Sequence, residues 1–326
     1  MRVLVISNPR ATTTTARQRD VLVHALAADA KLDVEQTANR GHAAALACRA
    51  MREGIDAVVA LGGDGTVNEV VNGLLTDGVH AEVPALGVVP GGSTNVFARA
   101  LGLPNDPVEA TSMLIDAMAA KRTRSVGLGR ADGRYFLFTA GLGFDAAVVA
   151  EVESHRRRGK TSTPALYVRS AVRTYLHRRH RRPQIELRLP DGSTITGLHM
   201  ALVNNCDPWT YVGSTSISPT PLASFDTGLD LYARTRMGAP GLLLSAARMV
   251  NRSGRPAAIP LWRRFAPGRH RSPDSQRVPG GRLEHDLSSF VLTATEPLPF
   301  QLDGDALDPR SRVEFQAVPE ALRVLA

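Results

Sequence analysis

Val58 to Leu74 reads VVALGGDGTVNEVVNGL: an apolar run, two glycines, an acid, a third glycine, and then a helical pattern. These types at this spacing suit phosphate chemistry. Gly62, Gly63 and Gly65 permit backbone conformations closed to other residues and let a second atom approach the chain closely. A helix opening at Thr66 begins with unpaired N–H groups and the positive end of its dipole. Together these make a cradle for phosphate oxygens. Asp64 is out of place there unless a cation shares the site, because a carboxylate repels phosphate. Mg2+ resolves the conflict, since it binds carboxylate and phosphate oxygens at once. The motif therefore points to a metal–nucleotide. The alternative is a tight turn whose acid caps a helix.

A second turn, VVPGGSTNVFAR from Val88, repeats the design. Pro90, Gly91 and Gly92 shape it, and Ser93, Thr94 and Asn95 offer hydroxyl and amide groups at a helix start. Simple N-capping would also use them. Two other nucleotide motifs fail. GKTS at Gly159 resembles the end of a P-loop, but Ser154 stands where that loop needs glycine, and no strand precedes it. No GxGxxG follows the first strand.

The elements that must position these turns are legible. RVLVIS, LDVEQT, IDAVVAL and PALGVVP read as strands. Helical patterns alternate with them: one from near Ala16, capped from the loop Thr12 to Thr15, then GHAAALACRAMREG stopped by Gly54, then TVNEVVNGLL and NVFARALGL. Apolar strands alternating with helices mean a parallel sheet covered on both faces. Ligands of such sheets sit beyond the carboxyl ends of the strands, where both glycine turns fall.

From about Ser125 the pattern turns to strands: RYFLFTAGLG, QIELRLPDGSTITGLHMALVNN with an Asp-Gly hairpin turn, GLDLYART and SSFVLTATEPLPFQLDGD. One helix interrupts them, from about Pro164 to His180. Asn251 to Gly281 is rich in proline, glycine and arginine and reads as an exposed loop. The expected organisation is a three-layer α/β nucleotide-binding domain with a parallel sheet over 1–125. A mostly antiparallel, β-sandwich-like domain follows over 126–304, and a segment over 305–326 returns to the first domain.

Composition bounds the partners. The 326 residues are 43% hydrophobic, enough for two cored domains, and carry a formal net charge of +8. That excess favours nucleic acid, an anionic lipid surface or a phosphorylated ligand. Two cysteines, Cys48 and Cys206, exclude a disulfide framework and a zinc site and suit a reducing cytosol. The opening MRVLVISNPR reads as a strand rather than a signal peptide. GAPGLLLSAARMV is too short to span a bilayer, so membrane contact would be peripheral. RRRGK at Arg156 and RTYLHRRHRRP at Arg173 are densely basic, and Val168, Val172, Tyr175 and Leu176 share a helix face between them. Such a helix can rest on an anionic membrane. The alternative is that its apolar face packs on the β-domain. No nucleic-acid motif or aromatic stacking set accompanies the charge. His155, His177, His180 and His270 lie in basic runs and are expected at the surface.

The motifs together resemble the catalytic-domain family of lipid kinases, which includes soluble bacterial diacylglycerol kinases and, more distantly, sphingosine and ceramide kinases. The resemblance is carried by SNP at Ser7, GGDGTVNEVVNGL from Gly62, PGGSTNVFARALGLP from Pro90, AGLGFDAAV from Ala140 and LDGD from Leu302. GGDGT alone is shared with NAD kinases. The resemblance implies ATP and Mg2+, with a lipid alcohol such as diacylglycerol as acceptor, in a cytoplasmic enzyme peripherally attached to an anionic membrane. An edge strand could pair two copies in a homodimer. It also implies that Asn8, Thr37 and Gly63 to Glu69, Asn68 included, line the nucleotide site, with Ser93 nearby. The family's catalytic base is an acid of an Asp-Gly-Glu motif, which here reads Asp303-Gly304-Asp305 and makes Asp305 the expected base. Val96 stands where many bacterial relatives carry an aspartate of a water–metal network, and Asp145 is expected to contribute beside Asp64. In SFDTGLDL, Asp226 and Asp230 resemble a structural Mg2+ region of some relatives, but Thr227 replaces an acid there. Two further readings stay open: an NAD-kinase-like phosphotransferase on a soluble acceptor, and, from the departures at Val96 and Asp305, a non-catalytic nucleotide- or lipid-binding homologue.

Overall fold

Strand formation begins at the second residue, where the run Val3, Leu4, Val5 and Ile6 is branched and apolar on both faces. In the computed structural model, which describes residues 1–9, 11, 16–27, 31–158, 163–178, 184–251 and 275–326, the chain divides into two units. The first comprises Met1–Leu128, Gly133–Leu137 and Val318–Ala326, and the second Gly129–Asp132 and Phe138–Ala317. The expected cap Thr12 to Thr15 lies outside the described residues.

The first unit runs β1 (Arg2–Ser7), α1 (Ala16–Leu26), β2 (Lys31–Gln36), α2 (His42–Arg52), β3 (Ala57–Gly62), α3 (Asp64–Leu74), β4 (Ala85–Pro90), α4 (Val96–Ala100) and α5 (Pro107–Ala119), then most of β5 (Thr123–Ala131) and β6 (Arg134–Phe136). The strand order β4-β3-β1-β2 is parallel throughout, with Val5 opposite Val34 on one side and Val59 on the other. Every residue of β3 and β4 is buried, as a sheet covered on both faces demands. Val3, Val5, Val59, Leu61 and Val89 pack on one face against Leu22 and Leu26 of α1 and Leu114, Ala117 and Met118 of α5. Strand alternation turns Leu4, Ile6, Val58 and Ala60 to the other face, where α2 and α3 cover the sheet. Those two helices approach so closely that a Cβ added at Gly73 would lie 2.2 Å from the Ala44 carbonyl oxygen. Near the end of the chain, Val324 pairs in parallel with Leu86 of β4.

The second unit contains β7 (Thr139–Gly143), α6 (Phe144–Arg157), α7 (Pro164–Arg178), β8 (Ile185–Arg188), β9 (Thr194–Leu198), β10 (Met200–Asn204), β11 (Thr210–Val212), β12 (Thr215–Ile217), β13 (Leu229–Arg234), α8 (Ala239–Met249), β14 (Val250–Asn251), β15 (Ser275–Val278), β16 (Gly281–Leu287), β17 (Ser289–Leu302) and most of β18 (Asp305–Leu325). Its main sheet has the order β15-β16-β13-β10-β7-β17-β18 with antiparallel pairing, and β11, β12 and β14 form a small second sheet. The Asp191-Gly192 turn joins β8 to β9, with Gly192 at φ 80°. Residues 305–317 of the last strand belong to this unit and 318–326 to the first.

Two expectations need correction here. The stretch RYFLFTAGLG is two strands, β6 and β7, rather than one. Among the described residues three helices, not one, interrupt the strands. FDAAVVAEVESHRR is rich in strong helix formers, but its apolar opening continues the strand pattern before it and hides the change of period. Residues 252–274, most of the expected basic loop, lie outside the described residues, and the flanking 275–287 form the β15–β16 hairpin.

Candidate functional site

In the first unit, Asn8, Thr37, the Gly62 turn and the Gly91 turn follow the carboxyl ends of β1, β2, β3 and β4. The Asn8 N–H donates to the Leu61 carbonyl at 3.0 Å, and its side-chain amide donates to Thr66 Oγ1 at 3.1 Å. The Thr37 N–H donates to the Ser7 carbonyl at 2.9 Å. The two glycine turns touch backbone to backbone. The Gly91 N–H donates to the Gly62 carbonyl at 2.8 Å, and a Cβ at Gly92 would lie 2.7 Å from the Gly63 Cα. A Cβ at Gly91 would lie 3.1 Å from the Gly62 Cα, and one at Gly63 the same distance from the Gly92 Cα. None of these four glycines has positive φ. They are needed for close approach, not for a left-handed turn. Gly65 faces open space.

Asp64 answers to the second turn. Its Oδ2 accepts the Val96 N–H at 3.0 Å and its Oδ1 the Phe97 N–H at 3.1 Å. It thereby caps α4, whose own N-cap residue, Asn95, sits at φ 50° and gives the helix no side-chain cap. Asn95 instead closes the turn, accepting the Gly92 N–H and donating to the Gly92 carbonyl and to Asn105, each at 2.8 Å. Burial pushes the Asp64 carboxyl upward, while the two amide donors and Arg99 pull it back. Ser93 is exposed and Thr94 half-buried.

Asn68 and Glu69 are tied into the scaffold. Glu69 accepts the Gly41 and Ala43 N–H groups at 2.8 and 3.2 Å, supplying the acid that the start of α2 lacks. Buried Asn68 donates to the Tyr135 carbonyl at 3.2 Å and accepts from Arg134 at 3.0 Å. One turn on, Asn72 takes both the N–H and the carbonyl of Tyr135, each at 3.0 Å, as a neighbouring strand would. The sequence carried no signal for this residue beyond its place on the polar side of α3.

The acid motif lies in the second unit, at the β17–β18 hairpin. Leu302 pairs with Asp305, and Asp303 and Gly304 between them have φ of 48° and 81°. Positive φ at both central residues is the mark of a type I′ turn, which Asp-Gly favours. Asp303 is anchored: its Oδ1 accepts the Phe138 and Thr139 N–H groups at 3.0 and 3.1 Å, and its own N–H donates to the Thr139 carbonyl at 2.8 Å. Asp305 is half-buried. Behind the turn, buried Gln301 accepts the Gly304 N–H and donates to Asp145 Oδ2, both at 3.0 Å. Burial raises the Asp145 carboxyl to about 6, against the pull of that one amide. Glu153, further along α6, accepts the Ala306 N–H at 3.1 Å. Neither Gln301 nor Glu153 was marked by the sequence.

Elsewhere in this unit, buried Asp230 accepts from His285 Nδ1 at 2.7 Å and from the Asp286 N–H at 3.1 Å. Burial raises both Asp230 and Asp207 to about 6. Asp226 donates its N–H to Ser224 Oγ. Among the described residues no three or more His, Cys, Asp or Glu side chains gather to hold a metal. His155 is buried, not at the surface as expected, with Nε2 3.5 Å from Glu151. His177 is exposed, and His180 and His270 lie outside the described residues. On α7 the inward residues are Ser170 and Thr174, while Val168, Val172 and Leu176 are 65, 53 and 53% exposed. Three of the four residues of the expected stripe are therefore exposed, and the fourth, Tyr175, is half-buried. Of the arginines beyond it, Arg179, Arg181 and Arg182 lie outside the described residues, as does the side chain of Arg178. No described helix is long and apolar enough to cross a membrane.

The donor set fits Mg2+ in one way only. An all-protein cage is absent among the described residues, but Mg2+ binds through one or two carboxylates plus substrate phosphates and water. Each Asp64 oxygen accepts one N–H, and a carboxylate oxygen has capacity for a further partner.

A parallel α/β unit bearing paired glycine turns at the carboxyl edge, joined to a strand-rich unit with an acid hairpin, defines a class of fold. The comparisons agree on which class. Residues 2–131, less than half of the chain, match the model of the diacylglycerol kinase catalytic domain. A relative from Chromohalobacter salexigens named "Probable lipid kinase YegS-like" is 34% identical over 199 residues, 61% of this chain and 60% of the relative. A "Diacylglycerol kinase" from Staphylococcus haemolyticus is 38% identical over 124 residues, 38% of this chain and 36% of the relative. The match thus spans less than two thirds of either relative. A crystal structure of a diacylglycerol kinase from Bacillus anthracis str. Sterne superposes with a TM-score of 0.69 over 99% of this chain and 96% of that one. At 18% identity this similarity establishes the fold: a parallel N-terminal part followed by an antiparallel, strand-rich part.

Proposed function

We propose that this chain is an ATP-dependent lipid kinase that phosphorylates the hydroxyl of a lipid alcohol, converting diacylglycerol to phosphatidic acid. The observation that carries the reading is the contact of the Gly62–Gly63 and Gly91–Gly92 turns, inside the residues matched to the diacylglycerol kinase catalytic domain. The names of the relatives point the same way. In this reading the first amides of α3 receive phosphate oxygens, and Asn8, Thr37 and the Ser93–Asn95 turn border the nucleotide. Asp64 would hold Mg2+, which when bound offsets the charge of the phosphates. Asp305 accepts the proton of the lipid hydroxyl. The hydroxyl oxygen bonds to the γ-phosphorus as the bond from that phosphorus to the β–γ bridging oxygen breaks, and ADP leaves with the electron pair. Phosphoryl transfer asks mainly for positioning and charge stabilisation, so few side chains need do chemistry. Asp303 is less suited as the base, because its Oδ1 already holds two amide N–H groups.

A lipid acceptor also asks for a membrane surface. The exposed Val168, Val172 and Leu176, flanked by Arg169 and Arg173, support peripheral docking on an anionic bilayer from the cytoplasmic side. The deciding experiment offers labelled ATP and Mg2+ with dispersed diacylglycerol, other lipid alcohols and NAD. Labelled phosphatidic acid is the expected product. Labelled NADP would move the assignment to a soluble acceptor, and no product would leave a binding protein. Asp305→Ala should lower turnover by on the order of 10²–10⁴ with ATP affinity kept, and full turnover in that variant removes Asp305 from the mechanism.

A further inference from the structure

Asp305 sits on the far side of a two-residue turn, and such a turn is held only as well as its flanks. Its neighbours on either side are both gripped. The Gly304 N–H goes to the side-chain oxygen of Gln301, and the Ala306 N–H to a carboxylate oxygen of Glu153. Gln301 is 1% exposed, and its amide is oriented by its two bonds: the oxygen faces Gly304 and the nitrogen faces Asp145. Asp145 lies in the first turn of α6 and Glu153 eight residues on, about 12 Å along the axis at the usual helical rise. One helix therefore supports the hairpin at both points. Gly141 makes room for this arrangement, since a Cβ there would lie 2.5 Å from Asp145 Oδ2 and 2.9 Å from Gln301 Nε2.

We propose that Gln301 and Glu153 are positioning residues for Asp305, fixing the Asp303–Gly304 and Asp305–Ala306 peptides so that its carboxylate holds one position. The assignment rests on the reading of Asp305 as the base. A general base must lie within hydrogen-bond reach of the proton it takes; Asp303 ties the start of the turn to β7, and Gln301 and Glu153 hold the Gly304 and Ala306 N–H groups on either side of Asp305. A merely structural role for the two side chains predicts altered stability with unaltered turnover. The positioning role predicts a loss in kcat.

The test uses the full chain, with Glu153→Ala, Glu153→Gln and Gln301→Met. Turnover on diacylglycerol is measured beside residue-resolved amide exchange at Gly304 and Ala306. Glu153→Ala should lose protection at Ala306 and Gln301→Met at Gly304. In each, kcat should fall ~10–100-fold with the KM for ATP unchanged, the scale expected for a displaced catalytic group. Glu153→Gln keeps an acceptor for the Ala306 N–H and should restore both protection and most of kcat. If Gln301→Met does not fold, the half-buried Glu153 pair decides alone. Lost protection with wild-type kcat overturns the positioning role, and so does a Glu153→Gln variant as slow as Glu153→Ala. A wild-type chain that phosphorylates no lipid alcohol overturns this assignment and the functional reading together. That failure shows in the control and not in the variants.

Discussion

Asp145→Asn should stabilise the second unit at neutral pH and leave it unaltered near pH 4. The wild-type side chain is 8% exposed and receives a single amide donor, Gln301, so its charged form is poorly compensated. Burial moves its carboxyl from 3.8 to about 6. Between those values the folded protein keeps a proton that the unfolded chain has released. Stability therefore falls as pH rises through that window, and the full cost is present above pH 6. At about 1.4 kcal/mol for each pH unit, the cost is on the order of 3 kcal/mol. Asparagine keeps an oxygen for Gln301 and carries no charge, so the variant escapes it. Asp207 and Asp230 titrate in the same window but cancel in the comparison of variant with wild type. Urea unfolding of both proteins at pH 4, 5, 6 and 7.5 should give a stability difference that grows from near zero to its full value. A difference that is constant with pH, or a variant weaker at pH 7.5, would refute the reasoning.

Other consequences are open to measurement. Asp64→Asn leaves one of the Val96 and Phe97 N–H groups without an acceptor, at about 1–3 kcal/mol, and should weaken Mg·ATP binding in calorimetry; unchanged stability and affinity together would show that the carboxylate does neither job. Gly73→Ala forces a methyl group onto the Ala44 carbonyl and should lower the thermal midpoint, since overpacking costs about 1–3 kcal/mol, more than the roughly 1 kcal/mol gained in helix propensity; an unshifted midpoint would mean that α2 and α3 separate freely. Replacing Val168, Val172 and Leu176 together by aspartate should leave folding intact and reduce cosedimentation with anionic vesicles, and equal binding would remove this stripe as the docking face.

The sequence made the first sheet readable because β1, β3 and β4 are apolar runs, the edge strand β2 alternates, and the helices between them carry their own period, so each segment reports its own environment. The Asp191-Gly192 hairpin was readable too, since Asp-Gly states its turn locally, whereas the same pair at Asp303-Gly304 was read as the end of a strand. The partners of these groups were not. Asp64 meets Val96 across 32 residues, Glu69 meets Gly41 across 28, and Glu153 meets Ala306 across 153. A side chain bonding to a distant backbone N–H leaves no pattern around itself, because any residue but proline can supply that N–H. The surface position expected for His155 failed for a related reason. The arginines after it are exposed where their side chains are described, but a helix turns 100° per residue, and His155 falls on the side facing inward.

The paired glycine turns have a consequence for what the sequence can become. Most tight contacts can drift, because a larger side chain on one side is absorbed by a smaller one opposite. Here both sides are already bare main chain, and the Gly92 and Gly63 α-carbons leave no smaller partner to choose. A larger residue at Gly92 has no local remedy on that side and must be met by a shift of the turns themselves, whereas one at Gly62 meets the Thr66 side chain. Selection would therefore hold Gly92 fixed on its own, whatever nucleotide the edge holds.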